Sequence, residues 1–261
     1  MSPPGPELTP LIRRHTGDVV EIKPSELGAM SDLTALVECE KGPFFVKAVR
    51  NRPGGRRDSL VREGLINPHV HPLSPAVLWQ AEDDDWMALG FEVVEGRPAD
   101  FGPSSADLPA IVDSLNQLAD LPLPEIAHGW TETRWDRYAD PQDVERFRGD
   151  ALLHADINIC NLMIGDALWV VDWAWPTRGA AFIEPALFAL HLIAEGHTAD
   201  SAESWASGCT AWVDAAPPAI DAFALANQRM WDDLSGRSPN RRWMKTMAVA
   251  ARKWTAYRGL G

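Results

Sequence analysis

The sequence predicts an α+β protein of two lobes, with a strand-rich N-terminal lobe and a larger, mainly helical C-terminal lobe. Two observations predict this division. In the first third of the chain the apolar residues alternate with a period of two, and in the rest they recur about every 3.6 residues. The change falls at Glu95-Gly96-Arg97-Pro98, where glycine and proline interrupt the pattern. We therefore expect lobes at 1–95 and 96–261, with Glu92 to Val94 as the crossing segment.

Composition bounds the class of protein. The chain has 261 residues, 46% of them apolar, with 12 tryptophans, which is ample for a packed core. The formal charge of −13 argues against nucleic acid or an anionic membrane as a partner and permits a cationic one, although an acidic surface also serves solubility alone. No apolar run is long enough to span a bilayer and the N-terminus lacks signal-peptide blocks, so we expect a cytoplasmic protein.

Alternating apolar residues predict an antiparallel meander in the N-terminal lobe, with one helix inserted. Residues 1–16 read as an arm before the first strand. The helix carries Asp58 or Ser59 as its N-cap. The expected strands are 19–22, 32–39, 44–49, 77–80 and 86–94, and the expected helix is 58–66.

Lys47 lies in the middle of the third expected strand, between aromatic and β-branched residues. One interpretation is an outward-facing, solvated lysine, and the other is a phosphate-binding cation held by a carboxylate. Glu63 follows on the expected helix, where Leu60, Glu63 and Ile66 recur at helical spacing. A strand lysine followed by a helix glutamate is an order in which the two can form an ion pair.

Apolar residues at helical spacing predict the C-terminal lobe. Asp107 is expected to cap the first of these helices, and the segment 130–150 is polar with aromatic anchors. The three cysteines are too scattered for a disulfide framework or a zinc site and are expected to be buried thiols. The expected helices are 107–118, 182–194, 201–213, 219–234 and 241–257.

The stretch from Leu152 to Pro176 sets polar residues on an apolar background. Phosphoryl transfer needs a carboxylate that orients or deprotonates a hydroxyl, and magnesium ligands that neutralise the triphosphate. Asp156 fits the first role, and Asn161 and Asp172 fit the second. The alternative is that these side chains only cap turns. The upstream lysine, helix glutamate and crossing segment all occur in the order that phosphoryl transfer requires, which favours a phosphotransferase.

The motifs HADINICN and VVDW, at 154–161 and 170–173, resemble the catalytic and metal-binding signature of the aminoglycoside phosphotransferase family, whose relatives are choline kinases and, more distantly, protein kinases. The resemblance extends from about Val19 to the last helices. It implies a protein-kinase-like fold and transfer of the γ-phosphoryl group of ATP, with Mg²⁺, to a hydroxyl of an amine-bearing antibiotic or metabolite. A choline- or amino-alcohol-type kinase and a catalytically weak nucleotide-binding regulator stay open.

The resemblance also assigns roles to individual residues. Asp156 would be the catalytic base, and Asn161 with Asp172 would bind magnesium. Lys47, paired with Glu63, would hold the α- and β-phosphates. The remaining nucleotide contacts are implied for Gly28 and Ser31, whose loop would cover the phosphates, and for backbone groups of Glu92 and Val94, which would meet the adenine edge.

The chain departs from the family pattern at two loop positions. Ala155 and Asn158 stand where such families often carry glycine and histidine, which predicts a loop of different shape. The short interval between Asp172 and the helix from Phe182 leaves little room for the activation segment of a protein kinase. Acidic residues available to a cationic acceptor, most of them expected to be solvated, are Glu184, Glu195, Asp200, Glu203, Asp232 and Asp233. The oligomeric state is left open.

Overall fold

A computed structural model describes residues 7–25 and 31–260. An antiparallel sheet in the N-terminal part and helices in the C-terminal part confirm the α+β prediction. The chain forms two compact units, one of Met1–Arg97 with Gly165–Pro176 and the other of Pro98–Ile164 with Thr177–Gly261. Asp172 therefore belongs to the first unit, and Asp156 and Asn161 belong to the second.

The first unit is built on a five-stranded antiparallel sheet. In chain order its elements are α1 (Thr9–Thr16), β1 (Val19–Pro24), β2 (Leu33–Cys39), β3 (Phe44–Arg50), α2 (Gly55–Val70), β4 (Val77–Glu82), β5 (Trp86–Phe91) and the short β6 (Gly96–Pro98). The strand order in the sheet is β1-β2-β3-β5-β4, so consecutive strands are neighbours except where α2 intervenes between β3 and β4.

Both faces of this sheet are covered, which decides the environment of the strand lysine. Even-numbered residues of β3, such as Val46 and Ala48, pack with α1, while Val49 on the other face packs with Leu60 of α2. Lys47 shares the second face because successive strand residues point to opposite sides. The solvated interpretation of Lys47 is therefore wrong, since neither face of β3 is left to solvent.

One sequence expectation in this unit is wrong and another is incomplete. The arm expected at residues 1–16 contains a helix in its described part, because α1 occupies Thr9–Thr16, and Leu8 at its N-cap and Ile12 within it are completely buried. The two apolar residues lie four positions apart, which is the spacing of one helical face. Helix α2 begins at Gly55, three residues before the expected cap, and Asp58 lies in its first turn.

The rest of the chain is mainly helical. In chain order its elements are α3 (Leu108–Ala119), β7 (Ala151–Leu153), β8 (Leu162–Gly165), β9 (Leu168–Val170), β10 (Thr177–Gly179), α4 (Ile183–Ala194), α5 (Ala199–Ala206), α6 (Thr210–Val213), α7 (Pro217–Arg237) and α8 (Arg242–Tyr257), with short 3₁₀ turns at Glu125–Ala127, Asp136–Tyr138 and Val144–Phe147. Strand β7 pairs with β10 in antiparallel register, with Leu153 opposite Thr177. Asp107 precedes α3, but its carboxylate accepts a hydrogen bond from the backbone of Asp100 at 2.9 Å and does not cap the helix.

Helix α4 is the buried centre of the second unit and packs against α5, α7 and α8. Phe223 of α7 contacts the rings of Trp135, Phe147 and Phe182, so the segment 130–150 is anchored by its aromatic residues. The single helix expected at 201–213 is divided into α5 and α6. A side chain at Gly208 would come within 2.9 Å of Val112, so the break allows a close approach to α3.

The cysteines are free thiols, but Cys160 is exposed and Cys39 is half-buried, so only Cys209 matches the expected burial. Along residues 7–25 and 31–260, the helices lack the combination of length and hydropathy needed to cross a bilayer.

Candidate active site

In the first unit, a cluster of charged side chains consists of Lys47, Glu63 and Asp172. The ammonium of Lys47 donates to Oε1 of Glu63 at 2.7 Å and to Oδ1 of Asp172 at 2.6 Å. Lys47 and Glu63 are buried, and the side chain of Asp172 is 33% exposed. The spacing of Leu60 and Glu63 places the carboxylate on the face of α2 that covers the sheet. One cation is therefore shared by two carboxylates.

Burial and charge act against each other in this cluster. Burial alone would lower the pKa of Lys47, but the carboxylates of Glu63 and Asp172 outweigh it and raise that pKa above its ordinary value. Burial raises the pKa of Glu63, Lys47 opposes the shift, and the charge of Asp172 adds to it. The cluster carries one more carboxylate than ammonium, which favours a further cation beside Asp172.

The backbone at Asp172 is left-handed, with φ of 66°, a conformation that residues other than glycine adopt only at a cost. Trp173 is buried, and its indole N–H donates to the carbonyl of Val170 at 3.1 Å. This hydrogen bond closes the turn around Asp172. The aspartate is therefore presented by a constrained turn directly after β9.

The second cluster is the loop after β7, in the second unit. Asp156 is exposed, whereas Asn161 is buried. The amide nitrogen of Asn161 donates to the backbone carbonyl of Asp156 and to its Oδ2, both at 2.9 Å. Asn158 also donates to the carbonyl of Asp156 at 2.9 Å and accepts from the N–H of Cys160 at 2.8 Å. The backbone carbonyl of Asp156 is thus held by two side-chain amides, and its carboxylate by the amide of Asn161.

The structure allows a test of whether these residues suit magnesium. Within the described ranges, no group of three or more His, Cys, Asp or Glu side chains is arranged to hold a metal. Mg²⁺ is commonly bound by one or two protein oxygens together with waters and substrate phosphates. Asn161 uses its amide nitrogen toward Asp156, so its carbonyl oxygen is left as a ligand, and Asp172 supplies a carboxylate. Each side chain, taken in its own unit, therefore offers an oxygen of the kind that Mg²⁺ prefers.

Of the other residues predicted to contact the nucleotide, three are described by the structure and one is not. Gly28 lies outside the described residues, and Ser31 is half-buried just before β2. Glu92 forms two hydrogen bonds with Ala76. The N–H of Glu92 donates to the carbonyl of Ala76, and Oε1 of Glu92 accepts from the N–H of Ala76. For the residues that the structure describes, no hydrogen bond involves the carbonyl of Glu92 or the N–H of Val94. The adenine contact implied for the backbone of Glu92 and Val94 stays a prediction.

Two ionisable residues of α4 lie beside the Asp156 loop. Glu184 is buried and accepts from the N–H of Ala155 at 2.8 Å. Burial raises the pKa of Glu184 to about 7, although hydrogen bonds from the backbone N–H groups of Ala155 and His154 stabilise the carboxylate and oppose this shift. Desolvation lowers the pKa of His191 to about 4, although the charge of Asp156 opposes the shift. Glu184 bonds to the loop directly, and His191 feels the charge of Asp156. The sequence analysis did not identify His191.

A sequence signal for these two residues existed. They are the ionisable side chains of an otherwise apolar helix and are seven residues apart, which places both on one face. The expectation that treated Glu184 as one of several acidic residues available to an acceptor missed this. Its hydrogen bond to Ala155 directs it to the loop instead.

Most of the other acidic side chains considered for an acceptor already have partners. Asp232 pairs with Arg252 at 2.6 Å, and Asp200 accepts from the hydroxyl of Tyr257 at 3.1 Å. Glu195 is exposed. The remaining two are bound in small networks, Asp233 with Tyr138 and Arg237, and Glu203 with Trp254 and Arg258.

Comparison with known proteins places this geometry within a fold class. Neither a protein-family model nor a curated protein sequence matches the chain. Solved structures match it over almost its whole length, and they define a kinase-like α+β fold. The predicted resemblance to aminoglycoside phosphotransferases and choline kinases is thereby confirmed for the fold.

Three of these structures illustrate the match. Choline kinase LicA from Streptococcus pneumoniae is 12% identical with a TM-score of 0.64, and the match covers 96% of this chain and 98% of that one. Macrolide 2'-phosphotransferase MphH from Brachybacterium faecium is 15% identical with a TM-score of 0.58, covering 94% and 97%. A thermostable mutant of aminoglycoside phosphotransferase APH(4)-Ia, in a ternary complex with AMP-PNP and hygromycin B, is 13% identical with a TM-score of 0.65, covering 98% and 99%.

Proposed function

We propose that this protein is an ATP- and Mg²⁺-dependent phosphotransferase that moves the γ-phosphoryl group to a hydroxyl of a small molecule. The observation that carries the proposal is the pairing of Lys47 with both Glu63 and Asp172 at 2.7 and 2.6 Å. Kinase-type phosphoryl transfer needs a strand lysine paired with a helix glutamate, together with an aspartate that holds the metal, and Lys47, Glu63 and Asp172 are residues of these three types. The similar structures include phosphotransferases for a choline, a macrolide and an aminoglycoside.

Each residue has a defined task in the proposed reaction. Among the described residues Lys47 spends two of its three N–H donors on Glu63 and Asp172, and the third is available to a phosphate oxygen. Asn161 and Asp172 would hold Mg²⁺, which neutralises the charge of the triphosphate. The loop of Gly28 and Ser31 would cover the phosphates, and Glu92 and Val94 would bind the adenine edge.

Asp156 would act on the acceptor. Its carboxylate orients the acceptor hydroxyl and takes its proton, while the hydroxyl oxygen forms a bond to the γ-phosphorus and the bond from that phosphorus to the β-phosphate oxygen breaks. Asn161 holds Oδ2 of Asp156 through its amide nitrogen, so the other oxygen is left for the hydroxyl. The products are ADP and the phosphorylated acceptor.

The proposed acceptor is an amine-bearing antibiotic or metabolite, and resistance to such an antibiotic is one role for the activity. Residues 1–95 would form the nucleotide-binding lobe and residues 96–261 the catalytic lobe, and a protein that uses ATP would be expected to act in the cytoplasm. A choline- or amino-alcohol-type kinase is the second candidate, because a choline kinase shares the fold over 96% of this chain.

The deciding experiment measures Mg²⁺-dependent ADP release with ATP across aminoglycosides, macrolides, amino alcohols and sugars. Acceleration by one class supports phosphotransfer and identifies the acceptor class. The Asp156→Asn variant, purified in parallel, controls for contaminating kinases, and reactions without an acceptor give the background hydrolysis. Tight ATP binding without acceleration by any acceptor would contradict the proposal and favour a nucleotide-binding regulator.

A further inference from the structure

His191 is the one gap in the buried surface of α4. From Ile183 to Ile193 every other residue of this helix is buried, whereas His191 is half-buried. A helix that is apolar all round and lies at the centre of a unit has no face of its own toward solvent. An opening in the surrounding packing must therefore reach α4 at the ring of His191.

This opening lies on the side of α4 that faces the Asp156 loop. Glu184 is seven residues earlier, which places it on the same face, and its Oε1 accepts from the N–H of Ala155 at 2.8 Å. Seven residues span about 10 Å along a helix. Among the described residues Asp156 carries the one charge that acts on the pKa of His191. His191 therefore lies beside the carboxylate that we assign as the base.

The ring of His191 has no hydrogen-bond partner within residues 7–25 and 31–260, and neither of its nitrogens is sealed from solvent. His197, the next histidine along the chain, shows the opposite situation. Its Nδ1 bonds to the hydroxyl of Ser201 at 3.1 Å and its Nε2 to the carbonyl of Phe101 at 3.0 Å. The ring of His197 is thus satisfied by the fold, whereas the ring of His191 is available to a ligand.

The charge state of His191 decides which ligand group it can take. Desolvation lowers the pKa of His191 to about 4, so the ring is neutral near pH 7 and keeps one nitrogen lone pair as an acceptor. The negative charge of Asp156 favours a cation at the same place. An ammonium group meets both conditions, because it carries positive charge and donates N–H hydrogen bonds.

We propose that His191 is a specificity-determining residue that accepts a hydrogen bond from an ammonium N–H of the acceptor, while Asp156 orients the reacting hydroxyl of the same molecule. This inference rests on the proposed function. It selects acceptors with a primary or secondary amine close to that hydroxyl. It disfavours quaternary ammonium groups such as that of choline, which carry the charge but have no N–H to donate.

The test uses the best acceptor of the panel that bears a primary amine, and its analogue in which the amine nearest the phosphorylated hydroxyl is trimethylated. We expect His191→Leu to lower kcat/KM for the primary amine by about 10–100-fold, which is the contribution of a hydrogen bond to a charged group. For the trimethylated analogue, His191→Leu and wild type should differ by less than about threefold. His191→Gln keeps an acceptor oxygen and should lose less than His191→Leu with the primary amine.

His128→Leu is the matched control, because His128 is an exposed histidine of the same unit. It should leave kcat/KM unchanged for both acceptors. An equal loss for both acceptors in His191→Leu would show that the ring only supports the packing, and would overturn the inference. Wild-type kcat/KM for the primary amine in His191→Leu would overturn it as well. If His191→Leu does not fold, NMR of the wild-type protein carries the test.

Nitrogen-15 NMR of the histidine rings at about pH 7, without nucleotide, gives a readout that does not depend on turnover. The primary amine should shift the resonance of the unprotonated ring nitrogen of His191, which the spectrum of His191→Gln identifies, and the trimethylated analogue should not. An unmoved resonance at saturating primary amine would overturn the inference. A best acceptor without an amine would overturn this inference alone, and ADP release that no acceptor accelerates would refute the proposed function with it.

Discussion

Lys47, Glu63 and Asp172 form a cluster of ion pairs that is largely buried, whereas the loop around Asp156 exposes its carboxylate, which accepts a hydrogen bond from the neutral side-chain amide of Asn161. A buried charge that loses its partner destabilises the whole fold, since the remaining charge has no water around it. An exposed carboxylate that is removed leaves no such charge behind. Substitutions in the first cluster should therefore affect stability and nucleotide binding together, and substitutions of Asp156 should affect turnover alone.

The largest effect is expected for Asp156→Asn. Loss of the base should lower kcat by about 1000-fold, because general base catalysis contributes 10²–10⁴-fold. Since the side chain is exposed, the free energy of unfolding should change by less than about 0.5 kcal/mol. Steady-state kinetics and urea denaturation check the two parts. Residual turnover within about tenfold of wild type would remove Asp156 from this role.

Lys47→Met tests the buried side of the comparison. Methionine fills a similar volume but leaves Glu63 and Asp172 without their shared cation, so we expect a loss of about 3–5 kcal/mol in the free energy of unfolding. Glu63→Gln is the matched variant and should cost less, because Lys47 keeps Asp172 as a partner. Urea denaturation of both proteins measures the difference. Equal losses would show that Asp172 does not share the ammonium in solution.

The contribution of Glu184 to the free energy of unfolding should be visible in the pH dependence of stability. Its pKa is about 7 in the folded protein and about 4.5 in the unfolded chain, so the folded state holds the extra proton between these values. Stability must then fall as pH rises through this window, by up to about 3 kcal/mol for a shift of this size. Glu184→Gln has no proton to lose there, so its stability relative to wild type should increase from pH 4.5 to pH 8. A constant difference in denaturation midpoints across that range would contradict the raised pKa.

Asp172→Asn should weaken binding of MgATP by about 100-fold, since loss of a ligand carboxylate is at least as damaging as loss of the outer-shell partners that cost 10–100-fold. Isothermal titration calorimetry with and without Mg²⁺ measures this. Affinity for ATP in the absence of the metal should change much less, which provides the internal control. Unchanged affinity for MgATP would argue against Asp172 as a metal ligand.

In the first unit, the sheet and its ion pair could be predicted from the sequence, but the first helix could not. The strands were predicted because their apolar residues alternate with a period of two, and the pairing of Lys47 with Glu63 was expected from their order on a strand and a helix. Helix α1 was missed because its apolar face amounts to little more than Leu8 and Ile12 in a stretch rich in proline. Local composition does not show that the sheet needs a cover on that face.

The polar residues of the loop itself were predicted from the sequence, but the residues elsewhere in the chain that bond to the loop were not. Asp156 and Asn161 are five residues apart and their hydrogen bond is local, so the sequence was sufficient. Arg134 and Glu184 are 21 and 29 residues from Ala155, and no periodic pattern connects them. Glu184 was grouped with other acidic residues because the packing of α4 at the centre of the second unit is a tertiary property.

The smallest expected effect concerns Ala155→Gly and tests whether the loop is strained. Relief of the left-handed conformation contributes about 1–2 kcal/mol, and the greater freedom of glycine in the unfolded chain takes back about 0.4–1 kcal/mol, so a net stabilisation of about 0.5–1 kcal/mol is expected. Ala110→Gly, at an exposed position in α3, is the control and should instead destabilise by up to about 1 kcal/mol, because its backbone is helical. Opposite signs in urea denaturation would show that backbone strain at Ala155 is real and is held by its neighbours. A loss of stability in both variants would show that the backbone of Ala155 carries no strain for glycine to relieve.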